Sequence, residues 1–115
     1  MQKTTSVEQL RISVTKFARR VYAALQKIPP GRVTTYAGLA RRIGCGSPRA
    51  VGQALRANPF APRVPCHRVI ASDLSPGGFQ GQRGGAALAR KLRLLASEGV
   101  HFHNNRLADP AQLLA

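Results

Sequence analysis

Tryptophan is absent from this sequence, aromatic residues make up 5% of it, and 115 positions hold only two cysteines and four acids. Each scarcity excludes something. Two cysteines, Cys45 and Cys66, cannot build the disulfide framework that staples small secreted domains, and they fit a reducing compartment. No apolar run reaches the length of a membrane span. The opening MQKTTSVEQLRISVTK lacks the apolar centre of a secretory signal. The chain is therefore expected to be intracellular, cytoplasmic and nucleoid-associated in a prokaryote or nuclear in a eukaryote. A basic amphipathic helix with bulky aromatic anchors is missing too, which argues against a bilayer surface as partner. So is paired metal-ligand spacing. His101 and His103 form the only close pair and no C-x-x-C accompanies them, so neither a metal nor a cofactor is expected.

What is abundant is positive charge. Eighteen lysines and arginines face Glu8, Asp73, Glu98 and Asp109, a net charge of +14. Such an excess repels itself in isolation and favours a polyanion, with nucleic acid the leading partner. The length suits one domain with a modest core, expected to act as a monomer. Its expected organisation is a flexible segment over residues 1–10, the domain over 11–103 and a C-terminal tail over 104–115.

Periodicity sets the elements. Val14, Phe17, Val21, Leu25 and Ile28 recur at helical spacing, which predicts an amphipathic helix from Ile12 to Ile28, stopped by Pro29-Pro30-Gly31. RVTTY is β-branched and reads as a link or small strand. Thr34 or Thr35 then caps a short helix closed by Gly44. Ser47 and Pro48 open a second helix, which ends before Asn58-Pro59. Two short helices around a glycine turn, the second rich in arginine, form a helix-turn-helix pattern. The glycine-dense stretch Ser72–Gly85 reads as a loop. A last helix follows, with Leu88, Leu92 and Leu95 inward and Gly99 at its end.

Within this frame VPCHRVI, Val64 to Ile70, is chemically unusual. A cysteine thiolate is a strong nucleophile once a base takes its proton. His67 is the adjacent base and Glu98 an available acid. A Cys–His–Glu relay is conceivable on residue types, with a bridging water because sequence neighbours rarely face each other. The competing reading is a buried, inert cysteine.

RAVGQALRANP followed by PCHRVI, with IPPGRVTTYAGLA upstream and LLASEG downstream, resembles the 6-O-alkylguanine-DNA alkyltransferase family over about four fifths of the chain. The resemblance implies a mainly α fold, a compact winged helix-turn-helix-like DNA-binding domain with at most a small strand pair. It implies that Cys66 accepts the alkyl group of a 6-O-alkylguanine in double-stranded DNA, once, after the base is flipped out through the minor groove. His67 would remove the thiol proton through a water, Glu98 would orient His67, and Tyr36 would help protonate the departing guanine. Arg49 matches the arginine finger that enters the base stack. Ala50, Gly52, Gln53 and Arg56 share its helix and would meet DNA, the small Ala50, Gly52, Ala54 and Ala57 letting the helix sit deep. Leu55, Asn58, Val69, Phe79, Gln80 and Gly81 would form the substrate pocket, and Arg68 a structural brace. Phe79 stands where the family pocket often has a tyrosine. Alkyltransferase-like relatives bind the same lesions without repairing them and hand them to excision-repair proteins, which sets the alternative function and a second class of partner.

Overall fold

A computed structural model describes residues 15–79 and 84–114. The expected flexible segment 1–10, the start of the first helix and the expected pocket residues Gln80 and Gly81 lie outside them.

The first helix, α1 (Lys16–Leu25), begins where Thr15 accepts a hydrogen bond from the amide of Ala18 at 3.0 Å. Val21 and Leu25 lie on its inner face, fully buried, each worth about 1.5–3 kcal/mol relative to exposure. The helix stops three residues short of the expected Ile28. A residue preceding proline is driven out of helical geometry, so the chain tightens into a turn, with the Ile28 amide bonded to the Leu25 carbonyl at 3.0 Å. Ile28 itself stays fully buried.

Thr34–Thr35 form β1, and Thr35 caps α2 (Tyr36–Arg42) through the Gly38 amide at 2.9 Å. Gly44, at φ +68°, turns the chain, and the Cys45 amide reaches back to the Ala40 carbonyl at 2.8 Å, so the orphan end of α2 is satisfied. Ser47 caps α3 (Pro48–Arg56) with Pro48 at its first position. The two helices and their turn are the expected helix-turn-helix. Val51, Ala54 and Leu55 of α3 face inward. Ala54 therefore serves the core rather than a close approach to DNA, and its carbonyl accepts the buried Tyr22 hydroxyl at 2.7 Å.

A 3₁₀ turn, Cys66–Arg68, leads into β2 (Val69–Ile70), which pairs in parallel with β1 in the register Thr34 with Val69 and Thr35 with Ile70. This ladder carries the end of the VPCHRVI motif onto the base of α2. Next comes α4 (Gly85–Ser97), followed by β3 (Phe102–His103) and β4 (Arg106–Leu107) in an antiparallel hairpin. Asn104 and Asn105 turn it with positive φ angles of 50° and 62°, the conformation a two-residue hairpin requires and asparagine tolerates. The boundary drawn at residue 103 falls inside this hairpin. The segment beyond is packed: Leu107 is buried and the Leu113 backbone bridges Val33. His101 and His103 are exposed.

The fold is mainly helical, a helix-turn-helix domain with two-residue ladders. One cluster of buried residues joins α1, α2 and α3 to the Cys66–Arg68 turn, through Leu25, Leu39, Val51 and Cys66. A second gathers Val33, Ile70, Leu95, Val100 and Leu107. Among the described residues no helix is long and apolar enough to cross a membrane.

Candidate active site and nucleic-acid interface

The 3₁₀ turn resolves how three consecutive polar residues can serve different neighbours. Three residues per turn send successive side chains about 120° apart. Cys66, 6% exposed, lines a cavity of about 910 Å³. His67 points the other way, with Nε2 3.0 Å from Glu98 Oε2. Arg68 grips the same carboxylate through Nε at 2.9 Å and Nη2 at 2.7 Å, and donates Nη1 to the Ile28 carbonyl at 2.8 Å. Glu98 is the C-cap of α4. The turn that holds Cys66, the end of the last helix and the turn closing α1 thus meet at one guanidinium.

A carboxylate only accepts, so Nε2 of His67 carries the proton and Nδ1 is left with a lone pair. Nδ1 is buried and has no protein partner among the described residues. Burial pushes the His67 pKa down, outweighing the upward pull of Glu98, and the ring is neutral near pH 7. Burial alone would raise the Glu98 pKa, but its bonds to Arg68 and His67 together hold it below the ordinary carboxylate value. Burial pushes the Cys66 thiol up, against smaller downward pulls from Asn58 and the positive charge of Lys91. The resting sulfur is a thiol, and the imidazole of the next residue is neutral. A thiol in this state becomes a strong nucleophile only when a base takes its proton.

Tyr36, the first residue of α2, lines the cavity beside Cys66, and burial raises its hydroxyl pKa, so it remains a donor. Two glycines pack beside its ring. A Cβ on Gly52 would stand 4.0 Å from Tyr36 Cδ1. Gly77 has φ +73°, and a Cβ there would lie 3.5 Å from the Tyr36 hydroxyl and 3.4 Å from the Ala71 amide. Leu55 and Phe79 complete the apolar lining.

The rim is the outer face of α3. Arg49, Gln53 and Arg56 are exposed and line the cavity mouth, one helical turn apart. Ala50 is half-buried on the same helix and outside the lining. Asn58 and Val69, expected in the pocket, stand behind its wall. Val69 is consumed by the β1–β2 ladder and the core. Asn58 braces the turn after α3, donating Nδ2 to the Val64 carbonyl at 3.0 Å and accepting from the Phe60 amide at 2.9 Å.

Sequence reasoning missed two contributors. Lys91 shares the inner stripe of α4 with Leu88 and Leu95 and is fully buried, whereas Leu88 and Leu92 are half-buried. Its place on an apolar stripe was the available signal. Asn105 reaches the cavity from the hairpin, and nothing local in the sequence announces that. Among the described residues no three His, Cys, Asp or Glu side chains converge as a metal site.

The model of the DNA-binding domain of 6-O-methylguanine DNA methyltransferase matches residues 16–100. A methylated-DNA–protein-cysteine methyltransferase of Methanothermobacter thermautotrophicus is 49% identical over 86 residues, 75% of this chain and 46% of its own length. A DNA base-flipping protein of Thermus thermophilus is 51% identical over 81 residues, 70% of this chain and 51% of its own. The chain thus spans about half the length of these curated relatives. Among solved structures, S. pombe Atl1 in complex with DNA containing O6-carboxymethylguanine superposes with a TM-score of 0.75 at 31% identity, covering 87% of this chain and 95% of that one. The O6-methylguanine-DNA methyltransferase of Pyrococcus kodakaraensis superposes with a TM-score of 0.66 at 42% identity, covering 76% of this chain and 48% of that one.

Proposed function

The chain belongs to the 6-O-methylguanine DNA methyltransferase family, and from that premise we propose that it repairs DNA by moving the alkyl group of a 6-O-alkylguanine onto Cys66. The observation that carries this reading is the junction of Cys66 with the cavity on one side and the His67–Glu98 pair on the other.

The alkylated oxygen is buried in duplex DNA, so the nucleotide must leave the stack. Arg49 and Arg56 on the rim of α3 supply the charge to hold the backbone, and Arg49 enters the gap the base leaves. In the cavity the thiol proton passes through a water to Nδ1 of His67. The developing imidazolium is stabilised by Glu98, whose charge Arg68 keeps in place. The thiolate then attacks the alkyl carbon: the sulfur–carbon bond forms as the carbon–oxygen bond breaks, and the electron pair leaves with guanine. Protonation assisted by the Tyr36 hydroxyl neutralises the leaving base. The thioether has no route back, so each molecule acts once.

A second reading, a lesion-binding protein that flips and marks the base without accepting the alkyl group, is favoured by the likeness to the Thermus base-flipping protein and to Atl1. Such a protein would hand its lesion to excision-repair partners. Intact-protein mass after incubation with duplex DNA carrying one 6-O-methylguanine separates the two. A gain of one methyl group, mapped to the Cys66 peptide, is expected. An unchanged mass with selective retention of the lesion duplex would establish the second reading instead.

A further inference from the structure

The C-terminal hairpin presents two unlike faces. Its register sets Phe102 against Leu107 and His103 against Arg106, and residues paired this way share a face of the ribbon. Leu107 is buried and Phe102 packs half-buried on the second core cluster, whereas His103 and Arg106 are exposed. The Leu107 amide donates to the Leu74 carbonyl at 2.8 Å, and the Gln112 side chain to the Gly99 carbonyl at 3.0 Å. The ribbon is thus fixed by its inner face to the turn over residues 72–75, whose Ser72 and Ser75 border the cavity.

Its tip is polar. Asn104, Asn105 and Arg106 are exposed, and Asn105 lines the cavity together with Arg49, Gln53 and Arg56 of α3. No acid occurs between Gly99 and Ala108. Asp73 feels the Arg106 charge, but its carboxylate already accepts from the Ser75 hydroxyl at 2.7 Å and the Ser75 amide at 3.0 Å. A nucleotide entering the cavity leaves its phosphates at the mouth, because a charge stays in water unless it is paired and hydrogen-bonded. Two elements offer donors there, α3 and the hairpin. A ribbon that only covered the core would have no need of an amide at that mouth and a guanidinium beside it.

We propose that the hairpin tip is a second DNA contact, Asn105 and Arg106 holding a backbone phosphate of the strand whose nucleotide enters the cavity. This rests on the reading of the cavity as the seat of an extruded nucleotide, but not on transfer to Cys66. Binding is therefore measured in a Cys66→Ala background, where no lesion is consumed. The duplexes carry one 6-O-methylguanine, and the phosphates flanking it are replaced one at a time by neutral methylphosphonate.

Arg106→Gln removes the charge at an exposed position, and Asn105→Gly removes the amide while tolerating the φ of 62°. Arg106→Gln is expected to bind the unmodified lesion duplex about fivefold more weakly, the scale of one exposed ion pair. The slope of log K against log salt should become shallower by about one. Asn105→Gly is expected to lose about threefold, the scale of one hydrogen bond. At one methylphosphonate position both losses should vanish, since the partner charge is already gone. Losses that persist undiminished at every position, or no loss with Arg106→Gln, overturn the contact. If the wild-type protein takes no methyl group but one phosphate couples to Arg106, the transfer reading fails while the hairpin contact stands. If the methyl group is taken and no phosphate couples, the hairpin contact fails alone.

Discussion

His67 and Arg68, neighbours in sequence, end on one oxygen: Nε2 of the first lies 3.0 Å and Nη2 of the second 2.7 Å from Glu98 Oε2. One carboxylate thus orients an imidazole and is itself held by a guanidinium that also anchors the turn after α1. The geometry of the candidate site and the anchoring of the domain share a residue.

Glu98→Gln tests that sharing. The amide cannot match an anion facing three donors, and Arg68 is left without its counter-charge. A stability loss of about 2 kcal/mol is expected, the scale of hydrogen bonds to charged groups, together with methyl transfer slower by about a hundredfold, the low end for general acid–base catalysis. Single-turnover kinetics and a denaturant melt measure both. Unchanged transfer would remove Glu98 from the relay.

The pH dependence of stability follows from the same trio. Burial lowers His67 below its ordinary 6.5, and Arg68 and His67 hold Glu98 below 4.5 despite burial. For both groups the unfolded chain binds protons first as pH falls, so the stability they contribute is present above the unfolded values. It erodes first as pH falls below 6.5, through His67, and then below 4.5, through Glu98. The melting temperature should decline from pH 7 to pH 4, and His67→Gln should flatten the upper part of that decline. Parallel curves for the two proteins would mean that His67 is not the titrating group.

Arg49→Ala addresses flipping. Arg49 sits at the start of α3, exposed at the cavity mouth, and a wedge contributes only when a base has left the stack. Affinity for a lesion duplex should fall more than affinity for undamaged DNA, by about 1–3 kcal/mol of difference, the scale of losing an unstacking contact. Titrations of both duplexes at one salt concentration measure this. Equal losses would make Arg49 an ordinary phosphate contact.

Arg56→Ala addresses the charge. Binding should weaken steeply with salt, and removing one phosphate contact should reduce the slope of log K against log salt by about one. An unchanged slope would show that Arg56 does not meet phosphate.

Much of this protein was legible in its sequence because the signals are local. Thr35 and Ser47 cap their helices and Gly44 turns between them, whereas the first helix, expected to run to Ile28, ends at Leu25. The charge excess and PCHRV need no fold to be read. Where a side chain faces was not legible. Ala54 and Val69 look like interface and pocket residues but are claimed by the core, because their orientation depends on which helix and ladder cover them.

The sequence by itself determined the helix-turn-helix, the family and the chemical types available to a site, since capping, periodicity and composition act within a few residues. Only the tertiary structure decided that Glu98 meets His67 across 31 positions, that a lysine is buried beneath the pocket wall, and that the C-terminal hairpin contributes Asn105 to the rim. Those relations come from packing two clusters around a parallel ladder, and long-range packing leaves no local mark on the chain.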